Sequence, residues 1–196
     1  MIIIGLTGSI GMGKTTVAGM FERLGCGVHC SDKAARLALS PDGGAFEEVA
    51  LSFPESWDKK KHIIKRDALA DIIFKDEAKK TVLENIIHPA VRASQDDFIL
   101  KQKLLGRKAV ILDIPLLFET NAQNRMDYNV VVSAPYFIQA RRVLKRSGMS
   151  EEKFVAILKT QIPDVQKRAM ADFIVPTGLG MAYSYYHVRK IMKEIK

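Results

Sequence analysis

Short apolar runs alternate with amphipathic stretches along this chain, a pattern typical of strand–helix units built around a parallel sheet. The first run, "MIIIGL", is apolar without interruption, which predicts a strand buried on both faces. A helix is predicted from about Lys14 to Leu24, with Gly25 placed to end it. Further strands are predicted for "GVHC", for "KAVILDI" at 108–114, for "YNVVVS" at 128–133 and for "DFIVP" at 172–176. The pattern therefore predicts an α/β fold in which helices flank a parallel sheet.

The region between the second and third strands, residues 33–106, is predicted to be mostly helical. "RDALADIIF" and "KKTVLENII" carry apolar residues at helical spacing, and "HPAVRASQDDFILKQKLL" predicts a helix with Pro89 near its start. A crossover between parallel strands needs only one helix, so the excess predicts a helical lobe that offers room for a substrate. A second polar, Arg-rich helical stretch is predicted at about 136–160, after the fourth strand.

The formal net charge of +8 on 196 residues indicates an anionic partner, either nucleic acid or a small polyphosphorylated molecule. Basic residues recur along the whole chain without a polybasic tail or an aromatic-interleaved RNA motif, which disfavours nucleic acid. The apolar runs, such as "AVILDIPLLF", are interrupted by Asp and Pro and are too short to span a bilayer. Because the N-terminus also lacks a basic start and a cleavage site, we expect a cytoplasmic protein with no membrane partner.

The two cysteines, Cys26 and Cys30, fit a reducing compartment. With His29 between them they form an incomplete ligand set for a metal, so we expect small buried thiols rather than a metal site.

Residues 8–15, "GSIGMGKT", match the pattern G-x-x-x-x-G-K-[ST] between a predicted strand and a predicted helix. Glycines let the backbone bring its N–H groups close to an anion, and the positive end of the following helix adds to the attraction. Lys14 can then reach the β- and γ-phosphates, and the Thr15 hydroxyl can bind Mg²⁺. The base-recognition motif of GTPases is not matched, because "NRMD" at 124–127 precedes a strand instead of following one. A kinase is therefore favoured over a GTPase switch.

Several other side chains have both a functional and a structural interpretation. Asp32, directly after the second strand, is either a carboxylate that handles the proton of an attacking hydroxyl or the N-cap of the next helix. Asp113, which ends "AVILD", resembles an Mg²⁺-binding carboxylate, with a solvent-facing or capping Asp as the rival. His88 is a pocket residue or a helix-boundary residue. Arg142 and Arg146, spaced i, i+4, predict one helix face that is either solvated or a lid over a phosphate.

Several motifs in order resemble the dephospho-CoA kinase family over most of the chain. They are "GLTGSIGMGKTTVA", Asp32 with the helix after it, "RDALADIIF", "LENIIHPAV", "DIPLLFE", "RRVLKRSGMSEEK", Gln161 and "RAMADFIV". The resemblance implies transfer of the ATP γ-phosphate to the ribose 3′-hydroxyl of dephospho-CoA, the last step of coenzyme A biosynthesis. It also implies a P-loop core (about 1–32, 107–135 and 161–196), a helical CoA-binding lobe (about 33–106) and a lid (about 136–160).

The resemblance also implies roles for individual residues, with Mg²⁺ as the cofactor. Asp32, Lys14 and Arg146 are the implied catalytic residues and Thr15 is the implied Mg²⁺ ligand, to which the position of Asp113 at the end of a predicted strand adds a second candidate. The residues implied to bind ATP are Gly11, Met12, Gly13, Lys14, Thr15, Thr16 and Arg142. Those implied to bind the acceptor are Arg66, His88, Pro115, Leu116 and Glu119.

The chain differs from the family pattern at Cys30, where a second acid is frequent, and at Pro176–Thr177, where an Asn is common. ATP and dephospho-CoA are the expected partners, and no nucleic acid is expected. The alternatives are another P-loop kinase of a nucleotide or small metabolite, and a basic nucleic-acid-binding NTPase.

Overall fold

A computed structural model describes residues 1–195, which form two compact units. The first unit comprises residues 1–29 and 101–195, and the second comprises residues 30–100. The elements in chain order are β1 (Ile2–Thr7), α1 (Lys14–Arg23), β2 (Gly27–Cys30), α2 (Ser31–Ala38), α3 (Phe46–Ser52), β3 (Trp57–Asp58), β4 (Ile63–Ile64), α4 (Arg66–Lys75), α5 (Glu77–Leu104), β5 (Ala109–Asp113), β6 (Tyr128–Ser133), α6 (Tyr136–Leu144), α7 (Glu151–Lys159), α8 (Asp164–Ala169), β7 (Phe173–Pro176) and α9 (Met181–Glu194).

The main sheet has five strands in the order β2-β5-β1-β6-β7. β1 pairs in parallel with both β5 and β6, and β6 pairs in parallel with β7. All five strands lie in the segments that the apolar pattern marked, so the prediction of an α/β fold with a parallel sheet is confirmed. The central place of β1 puts the loop after it, residues 8–13, which we call the glycine loop, at the carboxyl end of the sheet, where ligands bind in open α/β folds.

The core of the first unit lies where helices cover the sheet. Every residue of β5 is buried, as expected for a parallel strand covered on both faces. The apolar residues of α1 recur at helical spacing, with Val17, Met20 and Phe21 all buried. They pack in one cluster with Val188 and Ile191 of α9. This packing holds the start of α1, and with it the glycine loop, against the sheet.

The second unit is mainly helical around its own core, as the pattern predicted for this region. Phe46, Val49 and Phe53 are almost completely buried in it and pack with Leu69 and Leu83. The antiparallel pair of β3 and β4 was not predicted, because two-residue strands are too short to show an alternating pattern.

The prediction that a helix begins near Pro89 is wrong. α5 is one helix of 28 residues with Pro89 inside it. Proline removes one backbone hydrogen bond and costs about 3 kcal/mol or more inside a helix. The helical pattern continues on both sides of Pro89. The stabilisation of these two longer helical segments exceeds the local cost of the proline. His88 consequently lies within a helix, half-buried, and not at a helix boundary.

The cysteines differ in their surroundings. Cys26 is buried, and its thiol donates to Met192 Sδ at 3.7 Å. Cys30 is only partly buried, so the expectation of a buried thiol is confirmed for Cys26 alone. In residues 1–195, no three His, Cys, Asp or Glu side chains are grouped so that they could hold a metal ion. Over the same residues, every helix is too short or too polar to cross a membrane.

Candidate active site

The glycine loop adopts a conformation that only glycine takes without strain at two of its positions. Gly11 and Gly13 have φ values of 78° and 92°, in the left-handed region. A Cβ on Gly11 would also lie 2.5 Å from Val143 Cγ2. The Met12 N–H donates to Ser9 O at 3.1 Å, and the Thr16 N–H donates to Gly13 O at 3.1 Å as α1 begins. The loop is therefore shaped as a backbone cradle at a helix N-terminus, which suits a phosphate group.

Lys14 and Asp113 form an ion pair at this edge of the sheet. The Lys14 ammonium contacts Asp113 Oδ1, and Asp113 is the last residue of β5. Asp113 is only 5% exposed, and in the described part of the chain no helix begins directly after β5, so the rival interpretations of a solvent-facing Asp and a capping Asp are both wrong. The Asp113 carboxylate holds the Lys14 side chain beside the loop, and incoming phosphates would compete with this carboxylate for the Lys14 ammonium.

The remaining loop residues divide into buried and open ones. Met12 is buried, and its sulfur accepts a hydrogen bond from the Ala134 N–H at 3.1 Å, which ties the loop to the end of β6. Thr15 and Thr16 are exposed in the first turn of α1. The Thr15 hydroxyl is therefore open to a ligand or a cation.

Arg142 is bound beside the glycine loop. Its guanidinium donates to Thr177 O at 2.7 Å, to Thr177 Oγ1 at 3.0 Å and to Gly11 O at 3.4 Å. The Thr177 hydroxyl in turn donates to Met12 O at 2.6 Å. Thr177 was not predicted to take part in the site, although its position just after β7 was a usable signal, because the carboxyl ends of parallel strands meet at one edge.

Arg146 does not share a helix face with Arg142, so that prediction is wrong. α6 ends at Leu144, and Arg146 lies in an exposed turn where its N–H donates to Val143 O. The following helix begins separately, with the Ser150 hydroxyl accepting from the Lys153 N–H. The spacing suggested one helix because "KRSGMS" carries its helix-ending signal only at Gly148, beyond both arginines.

Three predicted site residues lie in the second unit. Asp32 is exposed in the first turn of α2, and the N-cap position of that helix is Cys30. The alternative that Asp32 is the N-cap is therefore wrong, although a carboxylate in a first turn is still favoured by the helix dipole. Arg66 is exposed as the first residue of α4, and His88 is half-buried in α5. Their catalytic and acceptor-binding roles stay predictions.

The β5 loop, which we define as residues 114–119, contains the other residues predicted to bind the acceptor. Pro115 O accepts from the Thr7 hydroxyl at 2.9 Å, and the Leu116 side chain is 37% exposed. Glu119 is turned inward, where its Oε1 contacts Lys167 Nζ at 2.8 Å and accepts from the Ile162 N–H at 2.9 Å. Leu116 is thus more open to a ligand than Glu119. No sequence signal marked Lys167 as part of this network.

A cavity of about 620 Å³ lies in the first unit beside the glycine loop. Its lining includes Ser9 and Met12 from the loop, Tyr136 of α6, Leu158 of α7 and Gln161 after α7. The stretch 136–160 is consequently not packed tightly against the end of the sheet.

Left-handed glycines, a lysine and a helix N-terminus meet at the carboxyl edge of a parallel sheet, and this combination defines a P-loop nucleotide-binding protein. The family profile described as dephospho-CoA kinase matches residues 2–180. The match covers most of the chain, and the chain belongs to the dephospho-CoA kinase family.

Individual relatives agree with this assignment. A dephospho-CoA kinase of Mesorhizobium japonicum is 44% identical over 196 residues, which is 100% of this chain and 98% of the relative. A solved dephospho-CoA kinase of Campylobacter jejuni is 29% identical with a TM-score of 0.73, covering 98% of this chain and 96% of that one. A crystal structure of a Thermus thermophilus protein is 33% identical with a TM-score of 0.83, covering 100% of this chain and 98% of the other.

Proposed function

We propose that this protein transfers the γ-phosphate of ATP to the ribose 3′-hydroxyl of dephospho-CoA, forming coenzyme A and ADP. The observation that carries the proposal is the glycine-loop cradle with Lys14 beside it, in a chain that belongs to the dephospho-CoA kinase family. Phosphoryl transfer needs little covalent chemistry from the protein, so positioning and charge stabilisation account for most of the catalysis.

The ATP phosphates are the part of the reaction for which the chain provides a shaped site. The backbone N–H groups of Gly11 and Gly13 and the first turn of α1, with Thr15 and Thr16, would hold phosphate oxygens, and Met12, whose own N–H is bonded to Ser9 O, would keep the loop in shape. Lys14 would leave Asp113 and place its ammonium against the β- and γ-phosphates. Arg142 would add a second positive charge at the same loop, since its guanidinium already lies beside Gly11 O.

The residues beside the loop fit an Mg²⁺ ion. Mg²⁺ is usually held by one or two protein oxygens together with substrate phosphates and water. The exposed Thr15 hydroxyl and the buried Asp113 carboxylate are oxygen donors of this kind, and Lys14 leaves Asp113 free when it moves to the phosphates. When bound, the ion would neutralise charge that develops on the phosphates.

On the acceptor side, Asp32 would take the proton of the attacking 3′-hydroxyl or orient that hydroxyl. Arg146 would close over the transferring phosphate, which its exposed position in a turn permits. Arg66, His88, Pro115, Leu116 and Glu119 would contribute to holding dephospho-CoA. The support for these roles is the order and spacing of the family motifs, together with the exposure of Asp32, Arg66 and Leu116.

A coupled assay of ADP formation with a panel of acceptors tests the proposal. Dephospho-CoA should support ATP-dependent formation of coenzyme A, while other nucleotides, shikimate and single-stranded DNA should give only the background rate. Stimulation by single-stranded DNA with no coenzyme A formed would contradict the proposal and favour a nucleic-acid-dependent NTPase. Transfer to another small acceptor alone would favour a different P-loop kinase.

A further inference from the structure

A lysine in α8 is completely buried in the first unit. Lys167 has 0% exposure, and lysines are almost never fully buried unless they are paired. Its Nζ contacts Glu119 Oε1 at 2.8 Å and lies 3.5 Å from Pro115 O. One ammonium therefore holds two points of the β5 loop, close to its start and at its end.

Glu119 links this ammonium to the chain that follows α7. We call residues 161–163 the post-lid segment. The Ile162 N–H donates to Glu119 Oε1 at 2.9 Å, and the neighbouring Gln161 Oε1 accepts from the Ile10 N–H of the glycine loop at 3.1 Å. Two adjacent residues of the post-lid segment are thus bonded in different directions, one to the glycine loop and one, through Glu119, to the β5 loop.

The lid stretch, residues 136–160, has room to move about this attachment. Close-packed interiors resist displacement, but the cavity of about 620 Å³ lies against Leu158 of α7 and against Tyr136 of α6. The other end of α7 adjoins an exposed turn at Gly148. α7 is therefore attached at the post-lid segment and, through the buried Phe154 ring stacked on Tyr136, to α6, so that a movement of the lid stretch would carry α6 and α7 together.

We propose that Lys167 is a positioning residue for phosphoryl transfer. Acting through Glu119, it fixes the position of the post-lid segment relative to the glycine loop and the β5 loop. The lid stretch then closes in the orientation that favours attack by the acceptor hydroxyl over attack by water. This inference rests on the proposed function. It gives Glu119 a role that does not require contact with dephospho-CoA, and it gives Gln161 the parallel role on the glycine-loop side.

The competing reaction provides the measurement. In hydrolysis, a water oxygen bonds to the γ-phosphorus, the bond to the β–γ bridging oxygen breaks, and ADP, inorganic phosphate and a proton are released. In transfer, the 3′-hydroxyl oxygen bonds to the γ-phosphorus in place of the water oxygen. The same bridging bond breaks, and coenzyme A, ADP and a proton are released. The ratio of hydrolysis to transfer is obtained by measuring inorganic phosphate and coenzyme A in one reaction. A lower fraction of folded enzyme reduces both products equally and leaves this ratio unchanged.

Lys167→Met keeps a long side chain and removes the charge. We expect the ratio of hydrolysis to transfer to rise roughly tenfold, because small displacements of positioning groups have large effects on the oriented reaction. Lys167→Arg, which keeps the charge, should recover part of the loss. The matched control is Tyr128→Leu, which weakens the packing of the first unit against Phe173 at the amino end of β6, the end of the sheet opposite the glycine loop. Its melting temperature should fall while its ratio stays at the wild-type value.

Gln161→Leu provides a second arm if Lys167→Met does not fold, because Gln161 is half-buried and its loss leaves no buried charge. A raised ratio in this variant supports the inference. If Lys167→Met and Gln161→Leu both keep the wild-type ratio whenever they fold, the inference is overturned and Lys167 is a purely structural residue. Failure of the wild-type enzyme to form coenzyme A would instead contradict the proposed function, and the ratio would then be measured with the acceptor found in the panel.

Discussion

The glycine loop and the turn after α6 belong to the same unit, yet they hold their cationic side chains in opposite ways. At the loop, Lys14 contacts the buried Asp113, and Arg142 is bound to Thr177 and Gly11. In the turn, Arg146 is exposed beyond the end of its helix. A cation held in place before ligands arrive needs little reorganisation when phosphate binds, whereas an exposed one must be ordered by the ligand. Substitutions at the loop should therefore affect stability and binding together, and substitutions at exposed residues should affect rate alone.

Lys14→Ala should have the largest effect on both quantities. Turnover should fall about 10²- to 10³-fold, as for the loss of one preorganised group that stabilises transition-state charge. The free energy of unfolding should fall by about 1–3 kcal/mol, because the Asp113 carboxylate is left buried without its partner. The measurements are turnover with dephospho-CoA and the melting temperature.

Two controls sharpen this prediction for Lys14. Adding Asp113→Asn to the variant should recover stability but not turnover, and Lys103→Ala, at an exposed lysine of α5, should change neither. Near-normal turnover in folded Lys14→Ala would mean that this ammonium does not reach the reacting phosphates.

Asp32→Asn should lower turnover with only a small loss of stability, because Asp32 is exposed and is not the N-cap of α2, which leaves only its interaction with the helix dipole, about 0.3–1 kcal/mol. General-base contributions are about 10²- to 10⁴-fold, and a loose transition state favours the lower end, so we expect a loss of about 10²-fold. Turnover across a magnesium series, with the melting temperature recorded alongside, tests this. Asp42→Asn is the matched control, as another exposed aspartate of the same unit. Partial recovery at high magnesium would assign Asp32 to the metal instead, and full activity would remove it from the mechanism.

Arg142→Ala and Arg146→Ala test the comparison directly. Losing Arg142 frees Thr177 and the glycine loop, so the KM for ATP should rise and the melting temperature should fall. Losing Arg146 should reduce kcat at an unchanged melting temperature. Isolated arginine fingers contribute about 10³- to 10⁵-fold, but an exposed arginine loses part of that gain because the ligand must first order it, and we expect about tenfold for Arg146 alone. If both variants behave alike in both measurements, the distinction between a held and an open arginine is wrong.

Ionisation of the Cys26 thiol should have the smallest effect of these changes, and only on stability, since Cys26 lies outside the site. Burial raises the pKa of its thiol to about 11, although the nearby positive charge of Arg107 acts in the opposite direction. The folded state therefore favours the protonated thiol. The stability that this provides is complete below the pKa of the unfolded thiol, about 8.5, and is lost as the pH rises towards 11.

Alkylation by iodoacetamide at pH 8, followed by peptide mass analysis, checks this prediction for Cys26. Cys26 should stay unmodified in the folded protein and react readily in urea, with the partly buried Cys30 as the internal reference. Equal modification of both cysteines in the folded state would contradict it.

Much of the fold and part of the site could be predicted from local sequence. Period and apolar run length mark β1, β5 and β6, since a strand buried on both faces must be apolar throughout. The glycine loop is recognisable because its backbone conformation excludes most other residues. The pairing of β3 with β4 and the passage of α5 through Pro89 could not be predicted, because both depend on contacts and segment lengths that local pattern does not report.

The sequence by itself determined the class of fold, the phosphate loop and the family. Each of these depends on short segments in which local conformation or burial restricts the residue types that can occur. Tertiary structure alone decided which polar groups meet. It brought Thr177 to Arg142 across 35 positions, Asp113 to Lys14 across 99 and Gln161 to Ile10 across 151. It also buried Lys167 against Glu119 and separated Arg146 from Arg142. Such pairings follow from the order of strands in the sheet and from where each helix ends, and neither is encoded in the spacing of the residues themselves.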